Sequence, residues 1–155
     1  MNAKTNAIAI LSTDHREVEQ LFKDYQALGD KANAKTNNKK KEIADQICTA
    51  LTTHATIEEE IFYPAMREAS KDADDLMNEA EVEHASARDL ILQIQEMDPE
   101  DELYDAKVKV LAELVEHHVK EEEKEMFPKA KKSGLDLDAL AEEMNGRRDE
   151  ILAAL

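Results

Sequence analysis

Two near-copies of one short pattern constrain this chain more than any other feature. His54-Ala55-Thr56-Ile57-Glu58-Glu59 runs on to Phe62-Tyr63-Pro64, and His118-Val119-Lys120-Glu121-Glu122-Glu123 runs on to Met126-Phe127-Pro128. Each copy sets a glutamate four residues after a histidine and a proline ten residues after it. Residues four apart lie one above the other on a helix face, so an imidazole nitrogen and a carboxylate oxygen aim at one spot, twice. Helix bundles build metal sites in this way.

The remaining residues supply the helices. Glycine and proline number three each, tryptophan is absent, and Ala, Glu, Lys and Leu abound, a mixture that favours helix throughout. The 155 residues suffice for a single domain with a real core. Periodicity predicts helices over about Ala7 to Leu28, Lys40 to Glu68, Asp72 to Met97 and Glu102 to Ser133, with a last one from Asp138. Gly29-Asp30 and the polar run from Asn33 through Asn38 read as the first loop, and Asp98-Pro99-Glu100 as a turn. Pro64 and Pro128 should kink or loosen the late turns of their helices, and Gly134 should end the fourth as a C-cap glycine. The last helix presents Leu140, Met144, Ile151 and Leu155. The expectation is an all-α, up-down antiparallel four-helix bundle over about 7–132, with a short additional helix over about 137–155.

A lone histidine, His15 or His84, precedes each His-x-x-x-Glu copy by one helix. His15, His54, His84 and His118 each lie thirteen to sixteen residues from turns at one end of the bundle, roughly 20 Å at 1.5 Å per residue. All four therefore sit at one height on apolar stripes. A single histidine on such a stripe is most often a hydrogen-bonded core residue. Four at one level beside two inward glutamates would leave several charged groups buried, each at a cost of several kcal/mol, and a bound cation offsets that directly. Carboxylates and imidazoles without thiolate suit iron ahead of manganese or zinc. Six protein donors exceed one tetrahedral ion, so two ions bridged by Glu58 and Glu122 is the economical solution.

At these residues the chain resembles the hemerythrin-like, HHE cation-binding family. Leu11-Ser12-Thr13-Asp14-His15, His54-x-x-x-Glu58-Glu59, Glu83-His84 and His118-x-x-x-Glu122-Glu123 match its pattern in order and spacing over about residues 7 to 130. The resemblance implies a four-helix bundle around an oxo- or hydroxo-bridged di-iron centre. His15, His54, His84 and His118 would be its terminal ligands and Glu58 and Glu122 its bridges. The oxygen-carrying hemerythrins have a further histidine four residues after the one on the third helix, where this chain has Arg88. Their last carboxylate is an aspartate five residues after the final histidine, whereas Glu122 follows His118 by four. One iron would then keep water or an open position. Glu81 and Glu121 are the acidic candidates to fill it, with Glu59, Glu123 and His117 flanking. Tyr25, Tyr63 and Tyr104 read as core packing that could also donate to a bound oxygen ligand.

The function expected is non-haem di-iron binding, with oxygen, nitric oxide or peroxide as the small ligand. The alternative is a peroxidase- or ferroxidase-type enzyme in oxidative stress or iron homeostasis. A ferritin-like bundle would use Glu-x-x-His, the opposite order. Thirty-six acidic against twenty basic residues give a formal charge of −16, which opposes nucleic-acid and anionic-membrane partners. Cys48 has no partner for a disulfide, which fits a reducing compartment and a buried thiol. Past Lys4 there is no signal-peptide core, and no apolar run has the length of a membrane span. The reading is of a cytoplasmic monomer or homodimer.

Overall fold

Side-chain caps open three helices in the computed structural model, which describes residues 6–29 and 33–155. Asn6 accepts from the Ala9 N–H at the head of α1 (Ala7–Gln26), and Asn33 from the Thr36 N–H at the head of α2 (Ala34–Ile57). Asp136 does the same for Ala139 in α7 (Leu137–Ala153), each satisfying an orphan donor of the first turn. Between them come a π-helical turn (Glu58–Phe62), α3 (Tyr63–Ala69), a 3₁₀ turn (Lys71–Ala73), α4 (Asp74–Glu96) and α5 (Tyr104–Glu121). A second π turn (Glu122–Met126) and α6 (Phe127–Lys132) follow. The chain is all-α. Because α2 runs through its π turn into α3, and α5 through its own into α6, four long rods and α7 make up the described residues.

The prolines explain the π turns. Pro64 and Pro128 lack the N–H that would continue an α-helical ladder, and the backbone widens just ahead of each. The Tyr63 N–H reaches the Glu58 carbonyl, and the Phe127 N–H reaches Glu122. In a regular helix a residue five positions on lies about 140° around the axis. The five-residue hydrogen bond instead turns Tyr63 and Phe127 toward the face carrying Glu58 and Glu122.

Two apolar clusters fill the interior. One joins Leu11 of α1 with Phe62, Met66, Met77, Met126, Phe127 and Met144. The other joins Val18, Phe22 and Tyr25 with Ile47, Ile91, Ile94, Tyr104 and Leu111. The start of α1 thus meets the end of the α2 rod, the start of α4 and the end of the α5 rod. Successive rods alternate in direction. α7 packs against α1 and α2.

Some expectations are corrected. Asn33 to Asn38 is not a loop, because the Asn33 side chain caps a helix that starts at Ala34; asparagine serves turns and caps alike. Leu155 lies past the end of α7 and is exposed. Gly134 does follow the C-cap Ser133 with φ +83°, a left-handed conformation that glycine adopts without cost. Cys48 is buried, and burial raises its thiol to about 11. Lys4 and Asp30 lie outside the described residues. No helix among the described residues is long and apolar enough to cross a membrane.

Candidate metal centre

Between the two apolar clusters the inward stripes turn polar. His15, His54 and His84 are buried, His118 nearly so, and Glu58 and Glu122 are completely enclosed. Glu122 spans two histidine pairs: Oε1 is 3.0 Å from His15 Nε2, and Oε2 is 2.9 Å from His118 Nε2. Glu58 Oε1 lies 3.3 Å from His54 Nε2, 3.2 Å from His84 Nε2 and 3.9 Å from His118 Nε2. The structure therefore gathers all six residues singled out by the sequence. They form two overlapping groups, Glu58, His84, His118 and Glu122 on one side and His15, His54 and Glu122 on the other.

Each histidine is held from behind by a carboxylate. Nδ1 of His54 donates to Asp14 (2.8 Å), His84 to Glu59 (2.6 Å), His118 to Glu83 (2.8 Å) and His15 to Glu123 (3.2 Å). With Nδ1 as donor to a carboxylate, every Nε2 is aimed inward, the arrangement that orients imidazoles at metal sites. The pattern has an internal two-fold. The residue before each lone histidine, Asp14 or Glu83, serves the histidine of one copy, while Glu59 and Glu123 serve the lone histidines. Asp14 and Glu83 carry no assignment in the sequence reading, although their shared place in the repeat is the signal that finds them. Arginines hold three of these carboxylates: Arg148 on Asp14, Arg88 on Glu59 and Arg16 on Glu123. Arg88 thus occupies the expected place of an added histidine by binding Glu59.

Tyr63 also belongs to the site. Its hydroxyl donates to Glu122 Oε2 at 2.5 Å and lies 3.4 and 3.2 Å from Nε2 of His84 and His118. It is more than core packing. Tyr25 instead donates to Asp105, and the buried Tyr104 hydroxyl has no partner among the described residues. Glu81 pairs with Arg67 at the surface, and Glu121 pairs with the exposed His117; neither reaches the six.

The electrostatics are those of a cation site. Burial penalises an imidazolium at His54, yet the Glu58 carboxylate and the bond to Asp14 outweigh it and raise the ring to about 10. His118 is raised against its burial by Glu122, Glu58 and Glu83. Burial also opposes charge on Glu58, but the His54 charge and the close polar groups of Glu122 and His118 hold it well below the usual carboxylate range. Burial and the charges of Glu122 and Glu58 push the Tyr63 phenol well above its ordinary value. Among the described residues, both oxygens of Glu58 and Nε2 of His54 nevertheless make no well-directed hydrogen bond, although histidine nitrogens lie 3.2–3.3 Å from Glu58 Oε1. Enclosed lone pairs without partners are costly, and a cation among them satisfies all of them at once. The donor set fits a metal.

An all-helical bundle whose rods each bring a histidine to one buried, carboxylate-rich level defines a class of metal-binding domain. This chain belongs to the hemerythrin HHE cation binding domain family, whose model matches residues 6–130. It is similar in fold to the crystal structure of a hemerythrin HHE cation binding domain-containing protein from Mycobacterium kansasii. That likeness has a TM-score of 0.78 at 22% identity and covers 97% of this chain and 89% of the other. It is also 31% identical over 118 residues to a protein of Nostoc sp. (strain PCC 7120) named DNA nickase. The match takes in 76% of this chain but 31% of that protein, so the chain spans about a third of that relative's length.

Proposed function

We propose that residues 1–155 form one domain holding two iron ions, with a four-helix core over about 7–132 and an accessory helix over about 137–155. His15 and His54 would hold one ion and His84 and His118 the other, with Glu58 and Glu122 shared between them. The carrying observation is Glu58, fully buried among histidine nitrogens with neither oxygen in a well-directed hydrogen bond among the described residues. Two nitrogens and two bridging oxygens per ion would close a tetrahedral zinc site but leave positions free on iron.

Bound iron would supply the electrons and free positions for taking up oxygen, nitric oxide or peroxide. The chain supplies the rest. The carboxylates behind the histidines keep each Nε2 facing inward, and the apolar clusters keep water out. Tyr63 keeps a proton on its hydroxyl beside His84 and His118. A proton held there favours the second reading, an enzyme that consumes peroxide or oxidises ferrous iron, since breaking an O–O bond requires one. A formal charge of −16 opposes nucleic-acid and anionic-membrane partners, which sets this chain apart from the activity in the Nostoc relative's name. The corresponding setting is a cytoplasmic monomer or homodimer.

Metal analysis of protein purified without added metal tests the reading, with two iron ions per chain expected. One ion, or two zinc ions, would replace it. Spectra before and after oxygen, nitric oxide or peroxide then identify the ligand.

A further inference from the structure

α7 lies beyond the residues matched by the family model, yet it reaches the histidine cluster. Arg148 Nη2 donates to Asp14 Oδ2 over 2.5 Å, and the same oxygen accepts from His54 Nδ1 at 2.8 Å. The Asp14 side chain is 10% exposed and that of Arg148 26%, so this contact is shielded well beyond an ordinary surface pair. The other carboxylates behind the histidines are held from within the four rods. Glu123 is held by Arg16 of α1 and Glu59 by Arg88 of α4, while His117 of α5 faces Glu83 at 3.6 Å. Asp14 alone of the four is clamped by the accessory helix. The neighbouring Arg147 turns away, to Glu60 and Glu150.

We infer that Arg148 is a positioning residue for the metal centre. It fixes Asp14, and Asp14 fixes the His54 ring with Nε2 toward Glu58. Tight holding of the ion on the His15/His54 side then depends on the contact that Arg148 makes from α7. A cavity of about 420 Å³ opens beside this contact, with Glu17, Asp45, Thr53 and Leu152 among its walls. Without Arg148, the Asp14 carboxylate is free to turn into that space and take solvent instead of the imidazole. Among the described residues His54 Nε2 makes no well-directed hydrogen bond of its own to keep the ring in place.

The inference rests on the metal reading above, and one titration separates the two. Metal-free chain of residues 1–155 is titrated anaerobically with ferrous iron against a chromogenic chelator, and helix content is followed by circular dichroism. Arg148→Ala should weaken one of the two equivalents about 10- to 100-fold, the usual cost of losing such outer support, and leave the other as in wild type. Asp14→Asn should do the same, and the double variant should be weaker than Asp14→Asn by no more than about twofold, since both act through one contact. Arg148→Lys should recover part of the loss. Arg147→Ala, which removes a neighbouring arginine of the same helix, should bind as wild type. A folded Arg148→Ala that holds both equivalents as wild type overturns the inference while leaving the metal reading intact. So does an Arg147→Ala that loses as much as Arg148→Ala. Wild-type protein that binds no iron overturns both.

Discussion

On the His84/His118 side of the centre, Tyr63 sets a phenol hydroxyl against Glu122 and both imidazoles. On the His15/His54 side its counterpart in the repeat, Phe127, lies flat on His15, with ring centroids 5.9 Å apart and planes 6° from parallel. The donor sets of the two sides are near-copies, and so are the carboxylates behind the histidines. What differs is the phenol hydroxyl, present in Tyr63 and absent from Phe127. The repeat builds two overlapping groups of candidate ligands, and a single oxygen atom makes its sides chemically unequal. The outer supports differ as well, since α7 braces only the Phe127 side.

The most damaging change to both sides is Glu58→Ala. If Glu58 is shared, its loss should release more than one equivalent of iron, read by metal analysis of the purified variant. Glu122→Ala should behave alike. Loss of one ion in each variant would make the sides independent sites, and retention of two ions in both would sink the bridging assignment.

The hydroxyl comes next. Tyr63→Phe should keep both ions yet slow peroxide consumption by about 100-fold, the lower end of what a positioned proton donor contributes. Phe127→Tyr should change the rate by less than about twofold, because the hydroxyl beside His84 and His118 already serves the centre. Equal rates in wild type and Tyr63→Phe would remove the proton role and leave the two sides equivalent.

Much of this asymmetry is hidden from the sequence, and the reasons are physical. The rods and the convergence of six donors are legible because a 3.6-residue period and an i, i+4 spacing are properties of one helix at a time. The match of levels follows from counting residues to turns. Tyr63 reads as core packing because a straight helix carries it away from Glu58; the prolines announce loosening, but not the five-residue hydrogen bond that swings it back. Arg16, Arg88 and Arg148 are illegible for another reason. Each reaches across to a different rod, and a long flexible side chain leaves no periodic trace of its target. Asn33 shows a third limit, since its preference for turns and for caps is the same chemistry seen from two sides of a helix start.

Chelation tests what the two sides share. The metal-free molecule keeps buried carboxylates and imidazoles facing one another, so metal binding should add stability in proportion to affinity. With free iron a hundredfold above Kd the gain is about 2.7 kcal/mol, or roughly 5–11 °C in Tm for a chain of this size. Equal melting curves with and without chelator would mean that the ions bind weakly or elsewhere.

The smallest effect is the pH dependence of that difference. In the metal-free protein His54 is raised to about 10. Its contribution to stability is therefore complete below its unfolded value near 6.5 and is lost as pH climbs through about 10. Glu58 is lowered, so its contribution is present above about 4.5 and is lost on acidification. Chelated protein should accordingly be most stable between about pH 4.5 and 6.5 and should soften steadily toward alkaline pH. Metal binding runs the other way, since an imidazolium must lose its proton to coordinate and affinity rises with pH. The gap in Tm between loaded and chelated protein should therefore widen from pH 6.5 to 10. In His54→Gln, which removes the titrating ring on the Phe127 side only, the widening should shrink without vanishing, because His118 is raised as well. A gap that stays constant across this range would show that protons and metal do not compete for these histidines, and the inward-facing nitrogens would then need another role.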